Sequence, residues 1–366
     1  MAAAVFDTLD IRSLKRGNCG EYWINSVENH TEGIGIIQRV FEFLKTRDAK
    51  AFSIRLFGKD ADIAEASGFL ETTAKDIACP PVCILQDTPD QRAPLKIQVY
   101  ALSGASSTWL YFKDTPVGRE FEDTYAKYYM LSLLPDDRQE SEYRQTKNVF
   151  EKAYEILESF GLNFSDTIRT WLFARDILSW YDRLNEARNQ FFQCHNIYDR
   201  LIPASTGIGV MNAYGTAIAT QFLAIKPKRN DVTLQSLNSP LQCSAMDYKS
   251  SFSRAARLLG PNHNRLYVSG TASIDKTGKT VFIDDAPAQI ETTMQAMKAI
   301  LNNADMDWSN TVSSLAYFKH HRDFGLFDDY CRKNGIKLPH IKIQADICRD
   351  NLLFELELDA ISTAII

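Results

Sequence analysis

Apolar positions recur at helical spacing in two stretches that can be laid over one another without a gap for about thirty residues, the mark of an internal repeat. Gln145 opens one and Gln289 the other. Val149, Ala153, Ile156, Leu157 and Phe160 share one helical face, as do Ile290, Met294, Met297 and Leu301, so each stretch predicts an amphipathic helix. A polar turn follows each helix, Leu162 to Thr167 and Met306 to Thr311, at the same offset. The β-branched and aromatic runs Ile168 to Phe173 and Val312 to Phe318 then predict strands. A second helix is predicted over Ile177 to Phe192 and over Phe324 to Lys333. Pro203 and Pro339 each precede two further strands, which end at Ala224-Ile225 and Ala360-Ile361.

Upstream of the second copy, Arg265 to Ile274 predicts a strand, and Asp275-Lys276-Thr277-Gly278-Lys279 a hairpin turn into Thr280 to Ile283. The counterparts for the first copy are Leu95 to Leu102 and Thr108 to Lys113. Each copy then reads β-β-α-β-α-β-β, a sheet with two helices on one face, which is α+β. The chain divides into an amino-terminal α/β extension (1–90), a first copy (91–230) and a second copy (231–366), with Lys226 to Pro240 as the linker between copies.

Charge narrows the function. Forty-one Lys and Arg against 46 Asp and Glu give a net charge of −5 without a long basic block. Nucleic-acid binding driven by overall charge is therefore not expected, while a local basic pocket for a small anionic metabolite remains open. Met1 to Val5 is apolar but lacks a basic leader, and no run approaches the ~20 apolar residues of a membrane span. A cytoplasmic protein that does not engage membranes is expected. The seven cysteines read as reduced thiols. Cys79 and Cys83 flank a proline pair without further ligands at zinc spacing, and His320, His321 and Asp323 lack a fourth partner, so no metal is expected. Asn29-His30-Thr31 and Asn163-Phe164-Ser165 match the glycosylation sequon, which has no meaning in a cytosolic chain. Gly207, Gly209 and Gly215 follow a helix and enter a strand, the reverse of a dinucleotide fingerprint, and are read as turn residues.

The carboxyl-terminal copy resembles the reactive-intermediate deaminase (RidA/YjgF) superfamily. The resemblance rests on Ser251-Phe252-Ser253-Arg254-Ala255, Val268-Ser269-Gly270-Thr271-Ala272, Gln289, Asp307 and Thr311, and the closing run Glu355 to Ile361. A narrower resemblance, to the two-copy chorismatases that release pyruvate from chorismate, covers more of the chain. It adds Arg169-Thr170-Trp171, Asn185, Arg188, and Cys348-Arg349 leading to Leu352-Leu353-Phe354-Glu355. The resemblance implies two tandem RidA-like units of the chorismate-mutase-like barrel type and a homotrimer with pockets between units. Where the small deaminases carry a carboxylate-gripping arginine this sequence has Lys342. The first copy has Ser205, Thr206 and Gln221 in the corresponding regions, and is the degenerate one.

Candidate chemistry follows from the closing strand. Residues two apart point the same way, so Glu355, Glu357 and Asp359 share a face, and carboxylates crowded there need a cation, a substrate or water. A partly desolvated carboxyl has its pKa raised toward neutrality and can pass protons, so Glu355 or Glu357 is the expected acid/base. Arg254 and Arg349 are candidates for gripping a substrate carboxylate in a fork. By resemblance, Lys342, Ser269, Gly270 and Thr271 are added to the substrate-binding set and Cys348 is pocket-lining, although a buried inert thiol is the favoured reading of the last. The expected function is a cofactor-free hydrolase or lyase acting on a small carboxylated metabolite, with chorismatase-like cleavage of an enol ether. The alternatives are an imine or enamine deaminase and a non-catalytic small-ligand-binding or regulatory protein.

Overall fold

The computed structural model describes residues 2–6, 8–27, 33–86 and 94–363, for 2–6 without their side chains. The Asn29-His30-Thr31 sequon and the boundary placed at residue 90 lie outside the described residues. The chain begins with strands β1 (Ala2–Phe6), β2 (Leu9–Arg16) and β3 (Cys19–Ser26), followed by α1 (Gly35–Thr46), β4 (Ala49–Gly58), α2 (Asp60–Thr72), β5 (Val82–Leu85) and β6 (Lys96–Ser103). Next come β7 (Ser107–Phe112), β8 (Thr115–Glu122), β9 (Ala126–Leu133), α3 (Glu142–Ser159), β10 (Thr167–Ala174), α4 (Ile177–Cys194), β11 (Ala204–Gly209), β12 (Met211–Asn212) and β13 (Ile218–Pro227). The last set is β14 (Thr233–Leu237), β15 (Ala255–Gly260), β16 (His263–Ala272), α5 (Ala286–Asn303), β17 (Thr311–Phe318), α6 (Phe324–Lys333), β18 (Ile341–Gln344) and β19 (Phe354–Ser362).

These elements make the same sheet three times. The strand orders are β1-β2-β3-β6-β4-β5, β7-β8-β9-β13-β10-β11 and β14-β15-β16-β19-β17-β18, with β12 added to the edge of the first. Even a register irregularity repeats, between Ala51 and Ser53, Thr167 and Arg169, and Thr311 and Ser313. The α+β class with two helices on one face of each sheet is what the repeat predicts, and the amino-terminal α/β segment has the same strand order as the two copies.

Three local expectations are corrected. Leu95 to Leu102 does not open the second sheet: β6 pairs with β3 and β4 and closes the first, and β7, β8 and β9 lead the second. Alternation in Ile97, Val99 and Ala101 marks a strand, but which sheet it joins is decided by distant partners. Thr280 to Ile283 is no strand, touching Ile274 only through one bridge at Thr280, because β16 is already flanked by β15 and β19. The stretch read as a linker contains β14.

Each sheet buries one face under its own helices. Ile37 and Val40 pack there in the first module, Phe150 and Phe191 in the second, and Met297 and Phe327 in the third. The other faces turn inward to a shared core, where Phe52 and Phe57 meet Trp171 and Phe173, and Leu315 and Tyr317. Three modules of one chain thus meet around one interior.

The interior also holds ions. Glu357 of β19, Gln221 of β13 and Gln98 of β6 occupy equivalent positions by register. The Arg55 guanidinium reaches all three, donating to Gln221 Oε1 and Gln98 Oε1 at 2.7 Å each and lying 3.8 Å from Glu357. One arginine thus ties the modules where their inner faces converge.

Candidate active site

The second and third modules meet where β11 runs beside β15 and β16. The ladder of β16 slips between Val268 and Thr271, and Ser269-Gly270 leave the regular register. The equivalent pairings of β9 with β13 and β3 with β6 show no such slip. A bulge of this kind re-aims groups at a strand end. Here the second module holds it. Ser205 N donates to Ser269 Oγ at 2.8 Å, Gly270 N donates to Thr206 Oγ1 at 2.9 Å, and Ser269 Oγ donates to Ser253 O at 2.5 Å. Thr271 backs the bulge through its own hydroxyl, donated to Ser269 O.

Glu355 lies against this bulge. A Cβ on Gly270 would fall 1.9 Å from Glu355 Oε1, so only glycine leaves room for the carboxyl. Glu355 is 4% exposed, and no hydrogen bond reaches its carboxyl from the described residues. Burial raises its pKa most, the neighbouring Glu357 raises it further, and Arg169 and Arg254 act in opposition; the result is about 8. At neutral pH this carboxyl keeps its proton.

Two arginines face the same seam. Arg188 projects from α4, its Nη2 donating to Asn185 Oδ1 at 2.5 Å and Nη1 to Ser205 Oγ at 3.5 Å. Arg254 donates from Nε to Cys243 O at 3.0 Å. Both are buried, and each keeps an N–H group without a partner among the described residues, Nε in Arg188 and Nη2 in Arg254. Phe252 lies under both guanidinium groups and Tyr248 beside Arg254. A buried donor left unpaired costs about 1–3 kcal/mol, so the seam is short of acceptor oxygens that a ligand could supply. Two cations beside a neutral acid favour an anion.

The remaining predicted residues sort by position. Cys348 lines the seam, but its thiol is pushed up to about 12, by burial first and then by Glu355, which removes thiolate chemistry near neutral pH. Arg349 stands behind the wall, stacked on Tyr248 at 4.9 Å and donating to Gly278 O at 2.7 Å. Glu357 lies deeper, accepting from Arg169 Nη2 and Trp171 Nε1, both at 2.9 Å, and is not part of the seam lining. It acts on Glu355 as a neighbouring charge. Lys342 is not with them: it sits on β18 at the seam with the first module, 2.5 Å from Asp328. Gly207 and Gly209 are in β11 rather than a turn, and Gly207 lines the seam.

Arg188, Tyr181, Ser205, Tyr248 and Phe252 line the seam without having been placed in a site by sequence. Arg188 left two traces, its place among the residues that resemble the chorismatases and its charge on the same face as the apolar Leu184 and Phe191 of α4. A charge on a buried face needs a reason, and here the reason is the adjacent module.

Among the described residues no three His, Cys, Asp or Glu side chains gather as metal ligands, and no helix is long and apolar enough to cross a membrane. Residues 244–361 match the family described as Endoribonuclease L-PSP, the RidA/YjgF group. The fold is similar to that of a crystal structure of a chorismatase, with a TM-score of 0.62 and 17% identity over 85% of this chain and 93% of that one. A putative endoribonuclease L-PSP from Entamoeba histolytica aligns with 36% of this chain and all of its own at 23% identity and a TM-score of 0.30. A putative endoribonuclease from Thermotoga maritima aligns with 36% of this chain and 98% of its own at 18% and 0.30. No curated protein matches the chain at a significant level.

Proposed function

We propose, from a chain with a RidA/YjgF-type carboxyl-terminal module and a chorismatase-like fold, that the seam between the second and third modules cleaves the enol ether of a small carboxylated metabolite with water. The observation that carries this reading is the protonated Glu355 beside two guanidinium groups with unused N–H donors. Arg188 and Arg254 bind carboxylate oxygens of the substrate and fix its vinyl group. Glu355 delivers its proton to the terminal vinyl carbon, leaving a cation at the ether carbon. Water adds there and gives its proton to the Glu355 carboxylate, and the resulting hemiketal breaks into pyruvate and an alcohol. The acid is restored.

The seam has a free volume of only about 20 Å³, so it admits a substrate as the residues 238–254 that cover it move aside. Closure then excludes bulk water from the cationic intermediate.

The test is incubation with chorismate, following pyruvate and the released ring product by chromatography. Ammonia released from enamine substrates without pyruvate would instead mark a deaminase, and binding without turnover a ligand-binding protein. Because Glu355 must start protonated, kcat/KM is expected to be flat through neutral pH and to fall above about 8.

Gly270→Ala tests the geometry. The added methyl displaces the Glu355 carboxyl, and a displacement of about 1 Å lowers turnover about 10²-fold. Unchanged turnover in a folded Gly270→Ala protein would move the reacting carbon away from Glu355.

A further inference from the structure

The seam between the first and second modules stands in the same relation as the candidate active seam, with β5 in the place of β11 and β8 and β9 in the place of β15 and β16. By register, Ala219 stands where Glu355 does, Pro81 where Ser205 does, and Cys83 where Gly207 does. The carboxyl of Glu355 and the hydroxyl of Ser205 thus have no counterpart at these positions, and the Cys83 thiol is engaged with Ser67. The covers differ more. β14 and β15 are joined by residues 238–254, which lay Tyr248 and Phe252 over the active seam. β7 and β8 are joined only by Lys113-Asp114, both at positive φ (49° and 64°), a two-residue hairpin. Among the described residues no comparable segment covers this seam, which holds a cavity of about 1120 Å³, against about 20 Å³ at the covered one.

We propose that this cleft is a second, non-catalytic binding site for an uncharged aromatic small molecule. Its floor is apolar, from Ile63, Leu70, Val82 and Leu133, and Trp109 and Tyr214 supply aromatic walls. Trp109 is a fixed platform: the buried Arg119 guanidinium stacks on it at 4.3 Å and is itself tied to Ala78 O and Asp76 O. Three polar side chains of the cleft are already used. Tyr214 Oη donates to Pro81 O at 2.7 Å, Ser132 Oγ to Pro80 O at 3.1 Å, and Lys152 Nζ to Asp136 Oδ1 at 2.6 Å. Recognition there is therefore by apolar contact and ring stacking, and the volume suffices for a drug-sized ligand. The rim carries Asp60, Glu71, Asp76 and Asp136 against Lys75 and the committed Lys152, which disfavours anions. The two seams thus select opposite ligands.

Fluorescence titration of the intact chain with N-phenyl-1-naphthylamine, a neutral aromatic probe, tests the site. Saturable binding of one probe per chain is expected. Ala64→Trp on the exposed side of α2 and Thr115→Trp on the opposite wall are each expected to weaken it at least about tenfold, at an unchanged melting temperature. Glu355→Gln leaves it unaltered, and the sulfonated relative 8-anilinonaphthalene-1-sulfonate binds at least about tenfold more weakly. Absence of saturable binding, binding that survives both tryptophan variants, loss with Glu355→Gln, or equal affinity for the sulfonate would each overturn the proposal.

Discussion

Glu355→Gln is expected to lower turnover by about 10²- to 10⁴-fold while making the protein more stable at alkaline pH. The amide keeps the shape of the carboxyl but cannot deliver or retrieve the proton. The stability gain has its own origin. Folded Glu355 holds its proton up to about pH 8, whereas in the unfolded chain it ionises near the ordinary value of 4.5. The folded state therefore binds the proton more tightly, and stability is lost progressively as pH rises from about 4.5 to about 8 and no further above that. Glutamine does not titrate and removes this loss. Urea denaturation should show the variant and the parent close together at pH 4.5, and the variant ahead by a few kcal/mol at pH 8.5. A variant that is inactive but no more stable at pH 8.5 would mean that the carboxyl is already ionised in the folded protein, and the proton-donor role would fall with it.

Coupling between lost activity and gained stability is what a catalytic group held against its own solvation should show. Burial of Glu355 is arranged by three features acting together: the bulge at Ser269-Gly270, the glycine that makes room, and Thr206 of the second module, which holds the Gly270 amide. The module that sequence reading called degenerate thus contributes half of the seam. It lacks an acid of its own, since Ala219 and Gln221 replace Glu355 and Glu357, but it brings Arg188, Ser205 and Thr206 to its neighbour.

Periodicity carried most of the fold. The helices from Gln145 and Gln289, the strands after them and the closing acidic strand were legible because each announces itself in local apolar spacing. The likeness of the amino-terminal segment to the two copies was not, because its closing strand β6 was read with the next sheet, leaving the segment incomplete. The shared face of Glu355, Glu357 and Asp359 followed from the two-residue period of a strand. That face lines the barrel interior, and depth along it separates the roles: Glu355 reaches the seam, Glu357 meets Arg169 and Trp171, and Asp359 faces the interior near Arg55. No spacing rule reports depth. Lys342 joined the substrate-binding set by counting back from Glu357 along one module, whereas adjacent seams take their residues from opposite edges of each sheet.

The depth argument makes Glu357 a structural anion, and Arg169→Met is the substitution that exposes this. Arg169 is fully buried and donates from Nη2 to both Glu357 Oε2 and Thr206 Oγ1, so it joins the interior ions to the wall of the seam. Its loss leaves Glu357 buried with the Trp171 indole and the more distant Arg55, and breaking a buried pair in this way typically costs about 3–5 kcal/mol. Arg169→Met with Glu357→Gln removes the stranded charge and should recover most of that cost, because an amide accepts the Trp171 hydrogen bond without requiring a counter-ion. The pH profile supplies a second readout. Arg169 lowers the Glu355 pKa and Glu357 raises it, so the alkaline limb of kcat/KM should move to higher pH in Arg169→Met and to lower pH in Glu357→Gln. If Glu357→Gln instead abolishes turnover with the limb unmoved, the proton passes through Glu357, and the assignment of chemistry to the seam carboxyl is wrong.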